Sequence, residues 1–181
     1  LQEGVATGMA EADARVNNKA SFLSLHIDSG LVNGFSLMND AYTTGTPMVV
    51  TSATYDVRNL RNRDLVELAK PFTKWSTQVV LPDQVPSVMR KAFTEANTHP
   101  KGPVFVGFSS NALDGEADME VVIDNAFISV PPFRPEPDPA LVREAAAVIA
   151  NSQRPVIVSG GGVVTSGAEK QVVELAELLS I

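Results

Sequence analysis

Four stretches of this sequence carry groups that could do chemistry. Glu3 stands at the start of an Ala-rich run that includes Met9. A carboxylate there can complement a helix N-terminus or serve as an acid–base group. His26 follows the apolar run Phe22-Leu23-Ser24-Leu25 and precedes Ile27-Asp28-Ser29-Gly30. An imidazole titrates near neutrality, and the carboxyl ends of strands are where open α/β sheets bind ligands. The plainer alternative is a structural histidine. The stretch from Gly30 to Asn33 reads as a loop-to-helix junction. Free N–H groups and a small residue there would admit close ligand approach; the plainer alternative is an ordinary helix start. Ser159-Gly160-Gly161-Gly162 could seat a nucleotide phosphate or form a close strand-to-helix turn. It lacks GxGxxG spacing.

Alternating elements must position these groups. The patterning predicts helices over 4–16, 31–42, 64–69 and 85–97, with strands over 21–25, 47–52, 77–81 and 103–108. The strands are apolar almost without interruption, as strands buried on both faces are. The fold class is therefore α/β: a parallel sheet with helices on both faces, in an incomplete N-terminal domain. Pro131, Pro132, Pro135, Pro137 and Pro139 then make a stiff linker. Beyond it the pattern restarts with a helix over 140–151, a strand over 155–159, the three glycines and a helix over 167–179. The expected domains are 1–130, a linker over 131–139, and the start of a second α/β domain over 140–181.

Composition narrows the function classes. The chain has 181 residues, with 14 basic and 21 acidic side chains, for a formal charge of −7. That balance disfavours nucleic acid and anionic membrane surfaces as partners. Zero Cys excludes disulfides, a thiolate nucleophile and Cys-ligated metals. No apolar run has the length of a membrane span. The start at Leu1, and a helix-like run to the last residues, create the expectation of an internal piece of a longer protein.

The order of motifs carries a resemblance. Leu1-Gln2-Glu3-Gly4-Val5-Ala6-Thr7-Gly8-Met9-Ala10 is followed by Phe22-Leu23-Ser24-Leu25-His26, Gly30-Leu31-Val32-Asn33 and Thr46-Pro47-Met48-Val49-Val50-Thr51. Lys70-Pro71-Phe72-Thr73-Lys74-Trp75-Ser76, Pro100-Lys101-Gly102-Pro103-Val104-Phe105 and Arg154-Pro155-Val156-Ile157-Val158 continue it. Together these resemble the pyrimidine-binding domain and the start of the central domain of thiamine diphosphate enzymes. Within that superfamily the chain is most similar to the benzoylformate decarboxylase group.

The resemblance implies roles. Glu3 would hydrogen-bond the cofactor's aminopyrimidine ring, with its pKa raised by poor solvation so that it shares a proton. The resulting thiazolium ylide would attack a 2-keto acid and accept the electrons as CO2 leaves, a non-oxidative C–C cleavage. His26 would relay protons or orient the substrate carboxylate, and Gly30 and Asn33 would line the cofactor. No metal ligand is expected in these residues: Mg2+ and the diphosphate would lie in a separate domain. Asp114-Gly115-Glu116 does not fit the Gly-Asp-Gly…Asn motif through which the family binds them. A homodimer or homotetramer with active sites between subunits is implied, in the cytoplasm, without nucleic acid or membrane. The isolated chain would be inactive. Alternatives are an acetolactate synthase-like carboligase, a group that usually lacks a His at position 26, and a non-catalytic nucleotide-binding module.

Departures from the family pattern lie at Ala53-Thr54-Tyr55, where Gly-Gln is frequent, at Glu11-Ala12-Asp13-Ala14, and at Asp28. Asp28 would oppose an anionic substrate unless it points away. Phe72 and Trp75 are expected in the core or an interface.

Overall fold

The structure is a computed structural model that describes residues 2–54, 64–118 and 136–181. The chain divides into two compact units, Leu1–Phe133 and Arg134–Ile181. The first unit holds helix α1 (Glu3–Asn17), strand β1 (Ser21–Leu25), α2 (Ile27–Thr44), β2 (Met48–Thr54), α3 (Leu65–Ala69), β3 (Trp75–Val79), α4 (Val85–Asn97), β4 (Pro103–Ser109) and α5 (Ser110–Asp114).

The four strands form one all-parallel sheet in the order β1-β2-β4-β3. Successive side chains on a strand point to opposite faces. In β2, Met48 and Val50 enter one hydrophobic cluster with Leu31, Met38 and Ala41 of α2 and Leu65 and Ala69 of α3. Val49 enters the other, with Ala92 and Ala96 of α4 and Ala112 of α5. In β4, Phe105 joins the first cluster, and Val104 and Val106 join the second. This is the α/β sheet with helices on both faces that the unbroken apolar runs predict. Each of the fully buried Leu, Met, Val and Phe side chains among these stabilises the fold by about 1.5–3 kcal/mol relative to exposure, and each alanine methyl by less. Phe72 stacks on Phe35, with ring centroids 4.5 Å apart, and Trp75 packs on the second cluster under the Lys91 ammonium.

Two elements shift from their expected places. Helix α2 starts at Ile27, not Leu31, so Ile27 to Gly30 is its first turn rather than a loop. The third strand ends at Val79, not Leu81. The Gln84 side-chain Oε1 accepts from both the Val80 and Leu81 N–H groups at 3.1 Å, which removes them from the ladder.

In the second unit, α6 (Pro139–Ala150) begins with Pro139 behind the capping carboxylate of Asp138. Then come α7 (Gly161–Ser166) and α8 (Glu169–Leu179). Residues 155–159 form no strand, because a strand exists only with a neighbour to pair with, and no other described segment of this unit is extended beside them. Linker positions 131–135 lie outside the described residues. No described helix is long and apolar enough to cross a membrane.

Candidate functional site

Helices α1 and α2 cross where small residues face each other. An added Cβ at Gly34 would sit 2.9 Å from both Leu25 Cδ1 and Thr7 Oγ1, and one at Gly8 would sit 3.0 Å from Leu37 Cδ1. A methyl at Gly34 would force a shift and one at Gly8 would push Leu37 back by a few tenths of an ångström, so the absence of side chains at these points permits the close approach. Gly4 and Gly8 lie one turn apart on α1, as Gly30 and Gly34 do on α2. The approach brings the first turn of α1 beside α2. There the Asn33 amide donates from Nδ2 to Glu3 Oε2 at 3.2 Å, joining positions 30 residues apart.

His26 follows Leu25, the last residue of β1, and is the residue before α2. Its carbonyl accepts from Gly30 N at 2.8 Å. A Cβ on Gly30 would lie 3.3 Å from Glu3 Cγ, Glu3 Oε1 and His26 Cβ alike. Gly30 is thus the gap across which the carboxylate and the imidazole-bearing residue meet. Glu3, His26, Gly30 and Asn33 are gathered at one place, although Gly30 N is bonded rather than free. Both His26 and Asn33 are solvent-exposed, and Glu3 is half-buried.

Between His26 and Asp28 the backbone is strained. Ile27 has φ of +37°. A β-branched residue in that region costs on the order of 1–3 kcal/mol unless its surroundings impose the conformation. The Ser52 hydroxyl, on β2, donates to the Ile27 carbonyl at 2.9 Å.

Electrostatically, the Glu3 carboxyl is held below its ordinary range. A hydrogen bond from its own backbone N–H lowers it most, the Asn33 amide adds to that, and His26 contributes, against a smaller desolvation effect. This reverses the raised pKa expected for Glu3. In this chain the carboxylate is open to water, so the polar donors outweigh burial. Asp28 turns its carboxylate onto Ser29 N at 2.8 Å, as a partner of the α2 N-terminus.

At the Ala53-Thr54 departure, Thr54 Oγ1 donates to the Phe108 carbonyl at 3.1 Å and accepts from Gln78 Nε2 at 3.0 Å. A side-chain amide does reach the end of β2, from β3. Tyr55 lies outside the described residues. Sequence reasoning missed Ser52, Gln78 and the glycine crossing. Only the last had a readable signal, the paired four-residue Gly spacings. In the second unit, a Cβ at Gly160, Gly161 or Gly162 would meet nothing within 4 Å, so close packing does not explain these glycines. Among the described residues no cluster of His, Asp and Glu could hold a metal ion.

Comparison with known proteins now defines the class. The model of the thiamine pyrophosphate enzyme N-terminal TPP binding domain matches residues 1–85, and that of the thiamine pyrophosphate enzyme central domain matches residues 142–181. The chain belongs to the thiamine pyrophosphate enzyme family. A probable acetolactate synthase large subunit of Methanocaldococcus jannaschii is 31% identical over 186 residues, covering 99% of this chain and 32% of that protein. Benzoylformate decarboxylase of Pseudomonas aeruginosa is 30% identical over 192 residues, covering 99% of this chain and 35% of that one. The crystal structure of benzoylformate decarboxylase from Polynucleobacter necessarius superposes with a TM-score of 0.84 at 27% identity, over 98% of this chain and 34% of that chain. The chain spans about a third of the length of the curated relatives it matches.

The residues fit an aminopyrimidine. An ionised carboxylate with one oxygen held by Asn33 keeps lone pairs for another N–H donor. Gly30 leaves the carboxylate uncrowded on the His26 side.

Proposed function

We propose that this chain is the pyrimidine-binding part of a thiamine diphosphate-dependent 2-keto acid decarboxylase of the benzoylformate decarboxylase kind. The observation that carries the reading is the meeting of Glu3 and His26 across Gly30, with Asn33 fixing the carboxylate.

Bound thiamine diphosphate supplies an electron sink for the pair released as CO2 departs. The chain's own residues supply orientation and protons. Glu3 accepts an N–H of the aminopyrimidine. When a second protein surface covers the site and expels water, desolvation raises the Glu3 pKa, and the carboxyl can then hold a proton in common with the ring. Asn33 keeps Oε2 from swinging away. His26, at the strand end, carries a proton to or from the substrate-derived group, or binds its carboxylate. Gly30 keeps the space between them open.

The diphosphate and its Mg2+ are assigned to a further domain, consistent with relatives about three times as long. We assign the whole enzyme to a homodimer or homotetramer with its sites between subunits, in the cytoplasm. The domain boundaries proposed are 1–130, 131–139 and 140–181.

An acetolactate synthase-like carboligase is the second reading, favoured by the relative from Methanocaldococcus jannaschii. His26 supports the decarboxylase. The test offers the full-length enzyme benzoylformate and pyruvate with cofactor and Mg2+, and identifies the products. Benzaldehyde and CO2, lost strongly in His26→Gln, support the decarboxylase. Acetolactate from pyruvate, with His26→Gln near wild type, overturns it.

A further inference from the structure

The strained residue after His26 has a dedicated support. Ser52 is 1% exposed and stands in register with Leu25, the last residue of β1. Its hydroxyl reaches past that pair to the Ile27 carbonyl at 2.9 Å, with a longer approach of 3.3 Å to the Ala53 carbonyl. Ile27 itself has no intrinsic reason to hold φ at +37°. The conformation must be imposed from outside. The preceding carbonyl, that of His26, is held by Gly30 N at 2.8 Å. Two successive carbonyls at the strand-to-helix turn are therefore pinned, one from within the helix and one from the neighbouring strand.

We propose that Ser52 is a positioning residue for His26: its buried hydroxyl fixes the Ile27 carbonyl, keeps Ile27 left-handed, and thereby sets the direction from which the imidazole enters the site. The inference rests on the role given to His26 above. Without the hydroxyl, Ile27 relaxes toward negative φ and the turn re-forms with His26 re-aimed. A merely structural serine, satisfying a buried carbonyl, would leave the imidazole where it is.

The test uses the full-length enzyme with thiamine diphosphate and Mg2+, and benzoylformate and pyruvate as probes. Ser52→Ala is expected to lower kcat about tenfold with little change in KM, and to shift the pH profile, as a misplaced catalytic group does. Ser52→Thr, which keeps the hydroxyl, is expected to stay near wild type. Adding Ile27→Gly to Ser52→Ala is expected to recover most of the loss, since glycine adopts positive φ freely. The double variant also serves if Ser52→Ala alone folds poorly. A crystal structure of the Ser52→Ala enzyme reads φ at residue 27 independently of turnover. Wild-type kcat in Ser52→Ala, an unmoved left-handed Ile27, or no rescue by Ile27→Gly overturns the proposal. His26→Ala separates the two readings: unchanged turnover there refutes the role of His26, while the crystallographic readout still judges Ser52.

Discussion

Asn33 donates its side-chain amide to the Glu3 carboxylate across 3.2 Å, tying the second turn of α2 to the first turn of α1. That bond helps hold the Glu3 pKa below its ordinary value. A lowered carboxyl pKa contributes stability above the unfolded value, and that contribution is lost as pH falls through the folded value. Asn33→Ala should raise the Glu3 pKa toward its ordinary value, read by NMR titration of the labelled carboxyl. In the full-length enzyme it should lower turnover about tenfold by freeing the carboxylate to rotate.

Gly30 and Gly34 separate activity from stability. Gly30→Ala places a methyl group 3.3 Å from Glu3 Oε1 and His26 Cβ, so both must give way by a few tenths of an ångström. The gain in helix propensity, about 1 kcal/mol, offsets the crowding, and stability should change little. Turnover should still fall by about ten- to a hundredfold. Gly34→Ala meets Thr7 and Leu25 at 2.9 Å, inside the helix crossing. It should destabilise by about 1–3 kcal/mol, measured by urea unfolding.

Glu11 is buried on α1, 3.2 Å from Arg15, which also lies 3.8 Å from Asp40 of α2. Burial, a hydrogen bond shared with Asp40 and the charge of Asp40 raise the Glu11 pKa, and Arg15 opposes them. For a raised carboxyl pKa, the stabilising contribution is present below the unfolded value and lost as pH rises through the folded one. Glu11→Gln should therefore raise the unfolding temperature at neutral pH by a few degrees. The advantage should disappear in acid, as thermal scans across pH will read. Arg15→Ala should do the reverse at neutral pH.

Much of this architecture is legible in the residues, because burial leaves a pattern. The apolar runs at Val49-Val50 and Val104-Phe105-Val106 can be satisfied only between two helical layers, which their split between two clusters bears out. The start of α2 was not legible. Ser29 and Gly30 read as a loop, whereas a left-handed Ile27, imposed by Ser52 from another strand, lets the helix begin at once. The strand expected at 155–159 depends on pairing partners, which no local pattern supplies. At the site, Glu3 and His26 stand out by type and place, but the protonation state of Glu3 follows from its solvation, which sequence does not encode. The asparagine that holds Glu3 is visible as a residue but not as a bond, since the contact spans 30 positions.

The central claim is that Glu3 acts on the cofactor ring. The most direct measurement compares wild type and Glu3→Gln in the full-length enzyme, pairing calorimetric binding of thiamine diphosphate with 2-keto acid turnover. The amide keeps an acceptor oxygen but cannot take or hold the proton. The predicted result is cofactor binding within about tenfold of wild type and turnover lower by about 10²–10⁴-fold. Turnover at the wild-type rate would contradict it.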